Sequence, residues 1–363
     1  MNGRPAARAY PEVRCPYCLD PVTYDESRLY VRNVQQELEP LDLSAERNPL
    51  RREDLLRGAH QLCPHTGGVP PHYLPVSFLV HGRPLTVAMI GSSTAGKTHL
   101  LASILGEVES GALRPYGLAC RPLDPEWHRR FLRQQVQPLH DAQVLAATAS
   151  TAFAYFADGL LVSGHGGTRP VMFFDLAGED LVEHGEAARF LTGVDAFIFL
   201  IDPLRALRLP QLDRVREKTG LRERDLGDEA FATVLDRVPR TGRYIDGAAA
   251  AVVLNKSDLV RFDPPVDRWL SRPLPPAVSG HELYEESRDV YAFVRHHGSP
   301  AWLKPFTECL RCTLHFVSAT GGREQGGVFP YGVVPRRVLA PLLSIFAMCG
   351  LLPGEDLREA GLA

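Results

Sequence analysis

The chain has 363 residues, 45% of them hydrophobic, with 40 Lys and Arg against 43 Asp and Glu for a net charge of −3. That length and apolar content suit about two globular domains with a sizeable core, and they exclude a disordered or low-complexity chain. The charge balance does not favour a nucleic-acid surface, and the odd count of 7 cysteines fits a reducing cytoplasm better than a disulfide framework.

Met1 to Val13 contains no apolar stretch of signal-peptide length. Residues 1–80 read as a small domain and its connector. Cys15-Pro-Tyr-Cys18 has the spacing of a zinc knuckle, and Cys63-Pro-His65-Thr66 resembles a second knuckle whose last cysteine has become threonine. Three thiolates and one imidazole complete a tetrahedral structural site. His65 and His72 are the candidate fourth ligands, with His60 as a third candidate. Three buried cysteines in a reduced protein are the alternative. The polar stretch from Asp20 to Arg57 offers little apolar material for a core of its own, and metal binding can supply the missing folding energy. Arg47, Arg51, Arg52 and Arg57 form a local basic stretch. Protein contact or structural support is nevertheless a better reading of such a ribbon than nucleic-acid binding.

Leu85-Thr-Val-Ala-Met-Ile90 is an apolar, β-branched run that predicts a strand, and His99-Leu-Leu-Ala-Ser-Ile-Leu105 has apolar residues at helical spacing. Between them lies Gly91-Ser92-Ser93-Thr94-Ala95-Gly96-Lys97-Thr98. Strand, glycine loop and helix in that order are the setting of a phosphate-binding loop. The N–H groups of this loop and of the helix N-terminus, from Gly91 through His99, are the nucleotide-binding candidates that cradle phosphate; Lys97 reaches the β- and γ-phosphates, and the Thr98 hydroxyl serves Mg²⁺. Thr148 and Thr151 are the candidates for an effector-loop threonine, just before a strand-like run from Ala154 to Val162. Either threonine could equally be a helix cap or a surface hydroxyl.

Pro170-Val-Met-Phe-Phe-Asp175 predicts a buried strand whose final carboxylate lies beside the phosphate loop, where Asp175 serves Mg²⁺. In Asp175-Leu-Ala-Gly178-Glu179 the Gly178 N–H suits a γ-phosphate. Glu179 stands where a water-orienting glutamine is common, but a carboxylate cannot donate to phosphate oxygens, which implies slow hydrolysis without an activating partner. No arginine is assignable from sequence to the transition-state charge. Val194 to Asp202 predicts a central strand, with Asp202 as a loop residue at its end. Residues 204–246, rich in Arg, Asp and Glu, read as a helical insertion with a solvated face, including a helix over 221–236.

Ala248 to Leu254 predicts another buried strand, followed by Asn255-Lys256-Ser-Asp258. The Asp258 carboxylate forks to match the N1–H and N2–H₂ donors of guanine, which adenine lacks. Asn255 braces the loop, and the stem of Lys256 covers the base. Arg272-Pro-Leu-Pro-Pro276 must be extended, and the run beyond it to Arg295 looks helical. Cys309 and Cys312 read as buried thiols leading into a strand over 313–317. Ser318-Ala319-Thr320 then follows as a base-supporting loop in which the Ala319 N–H faces the base oxygen. Val338 to Leu352 is interrupted by Pro341, falls short of a membrane span and reads as a closing helix. Residues 353–363 form a tail.

These motifs, in this order, resemble the translation-factor-related class of P-loop GTPases on a Ras-like core, over roughly residues 83–352. The resemblance implies an α/β three-layer Ras-like domain at 81–352 with a mostly parallel sheet, appended to a zinc-ribbon-like domain. It implies GTP and GDP as ligands, Mg²⁺, in-line attack of water on the γ-phosphate, and a protein effector or regulator. The joint pattern of a Cys-Pro-x-Cys ribbon, Leu74-Pro75 and Asp-x-Ala-Gly-Glu also resembles bacterial double-GTPase-class proteins of conflict or signalling systems. Two competing expectations are a nucleotide-binding scaffold that does not hydrolyse GTP, and a zinc-dependent nucleic-acid binder with an accessory NTPase.

Overall fold

The computed structural model of the chain describes residues 10–35, 37–65, 71–146, 156–176, 191–222, 231, 234–236, 238, 240–241, 244–354, 359 and 361. Thr148, Thr151, Gly178 and Glu179 lie outside the described residues, as does most of the expected 221–236 helix.

Among the described residues, eight strands form the main sheet. They are β7 (Leu85–Ile90), β8 (Ala119–Pro122), β9 (Phe156–Gly164), β10 (Gly167–Asp175), β11 (Ala196–Ile201), β12 (Arg240–Thr241), β13 (Tyr244–Leu254) and β14 (Cys309–Phe316). Strands 14, 13, 11, 7 and 10 lie side by side and parallel, while β9 pairs antiparallel with both β10 and β8, and the short β12 pairs antiparallel with β13. The central strands carry long apolar runs because both of their faces are covered. Alternation divides their side chains between two cores. Ile90, Phe174, Phe199 and Val252 face one layer of helices, and Val87, Phe173, Ile198 and Val253 face the other. The helix Gly280–His297 covers the first face through Val290, Phe293 and Val294. Helix α3 (Lys97–Glu109) and the helix Ala340–Met348 cover the second. The fold is therefore a three-layer α/β arrangement with a mostly parallel sheet. Among the described residues no helix is long and apolar enough to cross a membrane.

The N-terminal module departs from the expected lack of a core. After the hairpin β1 (Val13–Arg14) and β2 (Pro21–Val22), four strands pair antiparallel. These are β3 (Leu29–Arg32), β4 (Leu38–Pro40), β5 (Ala59–Leu62) and β6 (Tyr73–Pro75). Leu29, Leu43, Ala59 and Val76 form a small buried cluster of their own. Few apolar residues suffice because a small four-stranded sheet needs only one covered face. The basic stretch is partly neutralised, since Arg52 pairs with Glu26 and Arg57 lies near Glu53 and Asp54.

Candidate functional site

The phosphate loop is shaped by two glycines. A Cβ at Gly91 would meet Leu200 O at 2.9 Å, because the end of β11 packs directly against the loop. Gly96 has φ +83° and opens α3; a Cβ there would lie 2.8 Å from Asn255 Nδ2. Glycine tolerates both the left-handed dihedral and the close approach. Inside the loop Lys97, only 5% exposed, donates from Nζ to Gly91 O at 2.8 Å and Ser92 O at 3.0 Å. Its ammonium is thus held in the concavity formed by residues 91–96. Ser93, Thr94 and Ala95 form a 3₁₀ turn, with Ser93 and Thr94 exposed on the loop rim.

Parallel pairing of β10 with β7 places Asp175 opposite Met89, at the C-terminal edge of the sheet beside the loop. Thr98 Oγ1 donates to Asp175 Oδ2 at 2.6 Å. The other oxygen, Asp175 Oδ1, is buried and accepts no hydrogen bond among the described residues. A buried carboxylate oxygen without a donor, next to a threonine hydroxyl, is a donor set that fits a hard divalent cation.

The Asn255–Asp258 loop is tied to the Gly91–Thr98 loop by the Asn255 side chain. Asn255, 1% exposed, donates from Nδ2 to Ala95 O at 2.9 Å and accepts at Oδ1 from Ala319 N at 3.2 Å. Asn255 thus links the two loops, and the Ala319 amide, expected to face a base oxygen, here donates to Asn255. Ser318 Oγ donates to Asp258 Oδ1 at 2.5 Å and accepts from Gly321 N at 2.9 Å, which orients the Asp258 fork. Thr320 Oγ1 donates to Gly322 O at 2.9 Å and braces its own loop. Ser103 of α3 donates to Ala319 O at 2.8 Å, fastening the same loop from beneath.

Lys256 adopts a left-handed backbone, φ +51°, and its Nζ donates to Asp202 Oδ2 at 2.8 Å. Asp202 is therefore more than a loop residue. It anchors Lys256 and caps the helical turn Pro203–Ala206 by accepting from Leu204 N at 2.9 Å. The sequence signal was available in an aspartate immediately before proline at a strand end, the pattern of an N-cap. His99 has its partners in Leu145 and Phe329. Its Nε2 accepts from Leu145 N at 3.2 Å, its ring lies edge-on to Phe329, and burial with help from the Lys256 charge pushes its pKa down to about 4.

In the N-terminal module, one ligand atom from each of Cys15, Cys18, Cys63 and His72 gathers with all four within 4.8 Å of one another. Cys15 Sγ is 3.2 Å from His72 Nε2, and Cys18 Sγ is 3.7 Å from Cys63 Sγ. The register of β5 with β6 explains the choice of histidine: Leu62 pairs with Tyr73, and Cys63 N donates to His72 O, so His72 lies across the hairpin from Cys63. The other two candidate histidines are excluded. His65 is half-buried and sits 3.1 Å from Pro21 O, while His60 is buried against Asp124 Oδ2 at 2.8 Å. Burial raises the Cys15 and Cys63 thiols above their ordinary range, so a set of thiolates here needs a cation. Three sulfurs and one imidazole at this separation fit tetrahedral zinc. Cys309 and Cys312 are both buried within β14, as expected of structural thiols.

No curated protein matches the chain. The family model of Double-GTPase 2 matches residues 85–293, more than half of the chain, from the first residue of β7 through the Asn255–Asp258 loop and into the helix beyond it. The chain belongs to the Double-GTPase 2 family.

Proposed function

We propose that this protein binds guanine nucleotides and hydrolyses GTP slowly, alternating between GTP and GDP states to regulate a protein partner in a bacterial conflict or signalling system. The observation that carries the reading is Asn255, which joins the Ala95 carbonyl of the phosphate loop to the Ala319 amide while Ser318 orients Asp258. A phosphate cradle and a base reader locked at a fixed separation suit one nucleotide whose base offers paired donors. Lys97 would neutralise phosphate charge within the loop, and Thr98 with Asp175 would hold Mg²⁺. When bound, Mg²⁺ offsets charge on the phosphate oxygens. Glu179 cannot donate to those oxygens, which is the reason for expecting slow turnover. Cys15, Cys18, Cys63 and His72 would hold a structural Zn²⁺.

The test is equilibrium binding of fluorescent GDP with Mg²⁺, competed by GTP, GDP and ATP, for wild type and Asp258→Ala. Guanine nucleotides alone should compete with the wild type, by a margin of roughly 10⁴ over ATP, because a site built on hydrogen bonds rejects a base that leaves them unmade. The variant should lose that margin. Equal competition by ATP against the wild type would refute guanine selectivity.

A further inference from the structure

Arg205 lies on the helical turn Pro203–Ala206, which leaves the end of β11 where that strand packs against Gly91. Its Nε donates to Thr94 Oγ1 at 3.2 Å, on the exposed rim of the phosphate loop. The turn that carries it is fixed at both ends. At its start, Asp202 accepts from Leu204 N at Oδ1 and from Arg205 N at its carbonyl, and Lys256 Nζ holds the other carboxylate oxygen. At its end, Arg216 donates from Nε to Leu204 O at 2.8 Å and from Nη2 to Leu207 O. The base-reading loop, the turn and the phosphate-loop rim are therefore one hydrogen-bonded unit, with a guanidinium at the rim.

We propose that Arg205 is a further catalytic residue, supplying from within the chain the cation that stabilises charge on the phosphates of bound GTP as the β–γ linkage breaks. This rests on the reading that the protein binds and hydrolyses GTP. In that reaction the water oxygen bonds to the γ-phosphorus, and the bond from γ-phosphorus to the bridging oxygen breaks. The electron pair of the broken bond stays on the β-phosphate of GDP. One water proton remains on the product hydrogen phosphate and the other passes to solvent. Negative charge thus moves toward the β-phosphate, which the loop cradles. With Nε engaged at Thr94, the planar fork of the guanidinium is held at the loop rim, and such a fork matches phosphate oxygens in a way an ammonium does not. A simple brace for Thr94 would be indifferent to the reaction.

The experiment measures three quantities on the full chain with Mg²⁺ and no added protein: fluorescent GDP affinity, capture of aluminium fluoride by the GDP complex, and single-turnover GTP hydrolysis. Wild type should capture aluminium fluoride. Arg205→Ala should keep its GDP affinity, lose capture, and hydrolyse GTP roughly 10³-fold more slowly. Arg205→Lys should remain impaired, since it restores charge without the fork. Guanidinium chloride at sub-denaturing concentration should partly restore hydrolysis to Arg205→Ala, a rescue that a structural brace would not show. Unchanged capture and rate in Arg205→Ala would overturn the proposal, as would equal losses of GDP affinity and rate with no rescue. If wild type binds GDP but captures no aluminium fluoride, the proposal falls and the nucleotide-binding reading stands. If wild type binds no guanine nucleotide, both fall.

Discussion

His99 follows Thr98 directly and has a structural task, and its protonation state is set by that task. Nε2 accepts from the Leu145 amide, so it carries no proton, and burial together with the nearby Lys256 charge holds the pKa at about 4 against an ordinary value near 6.5. A histidine whose folded pKa is depressed keeps its full contribution above the unfolded value and loses it as pH falls, because only the unfolded chain takes up the proton readily. The relevant window runs from about 6.5 down to about 4. Between pH 7 and pH 5 wild type should therefore lose about 1–2 kcal/mol more stability than His99→Gln, whose amide oxygen can still accept from Leu145 but does not titrate. Urea unfolding at the two pH values measures this. Parallel losses in the two proteins would mean that His99 titrates normally in the folded chain.

At the scale of elements, the phosphate loop depends on a dihedral and a distance together, and the two can be separated. Gly96 has φ +83° with Asn255 Nδ2 at 2.8 Å from a built Cβ, whereas Gly117 has φ +71° with nothing within 4 Å. Both alanine substitutions pay for the left-handed backbone, about 1–2 kcal/mol. Gly96→Ala must also displace Asn255, which breaks the bond to Ala95 and loosens the grip on Ala319. GDP affinity should fall by about tenfold or more in Gly96→Ala, the cost of roughly one buried hydrogen bond left unmade. In Gly117→Ala it should hold while the melting temperature drops slightly. Equal affinity in the two variants would remove Asn255 from the account. The strands that frame this loop were legible because burial on both faces writes a continuous apolar run: β7 is found at the residues expected, and β11 and β13 lie within or just beyond theirs. Helix α3 extends its periodic core at both ends. The β3–β6 sheet was not legible, since strands of three or four residues carry too few alternations to stand out from loop. Asp202, Ser103 and Arg205 act through pairings across the fold, and no local pattern encodes those partners.

At the scale of the whole molecule, the N-terminal module and the nucleotide domain share a core. Cys15, Cys18, Cys63, Leu74, Phe78 and Leu79 belong to the same buried cluster as Ile90, Met172, Phe174 and Phe199 of the main sheet. Two polar ties cross the same boundary: His60 to Asp124, and Ser77 Oγ to Leu123 O at 2.7 Å. An uncompensated set of buried thiols at one end of a continuous core should therefore weaken the whole of it, because packed interiors transmit a local loss of order. The three tryptophans provide a probe that does not see the module itself. All of them lie after residue 126, and Trp269 and Trp302 are buried within the nucleotide domain. We expect purified protein to carry about one zinc per chain and to show a single tryptophan-fluorescence melting transition. Chelation, or Cys18→Ser, should lower that midpoint by roughly 5–10 °C, the scale of losing a few kcal/mol from a domain of this size. A tryptophan midpoint that ignores zinc removal would show the module to be a separable appendage. A midpoint that falls with zinc would mean that the metal centre helps set the stability of the main sheet, through the core that Cys15, Cys18 and Cys63 share with Ile90, Phe174 and Phe199.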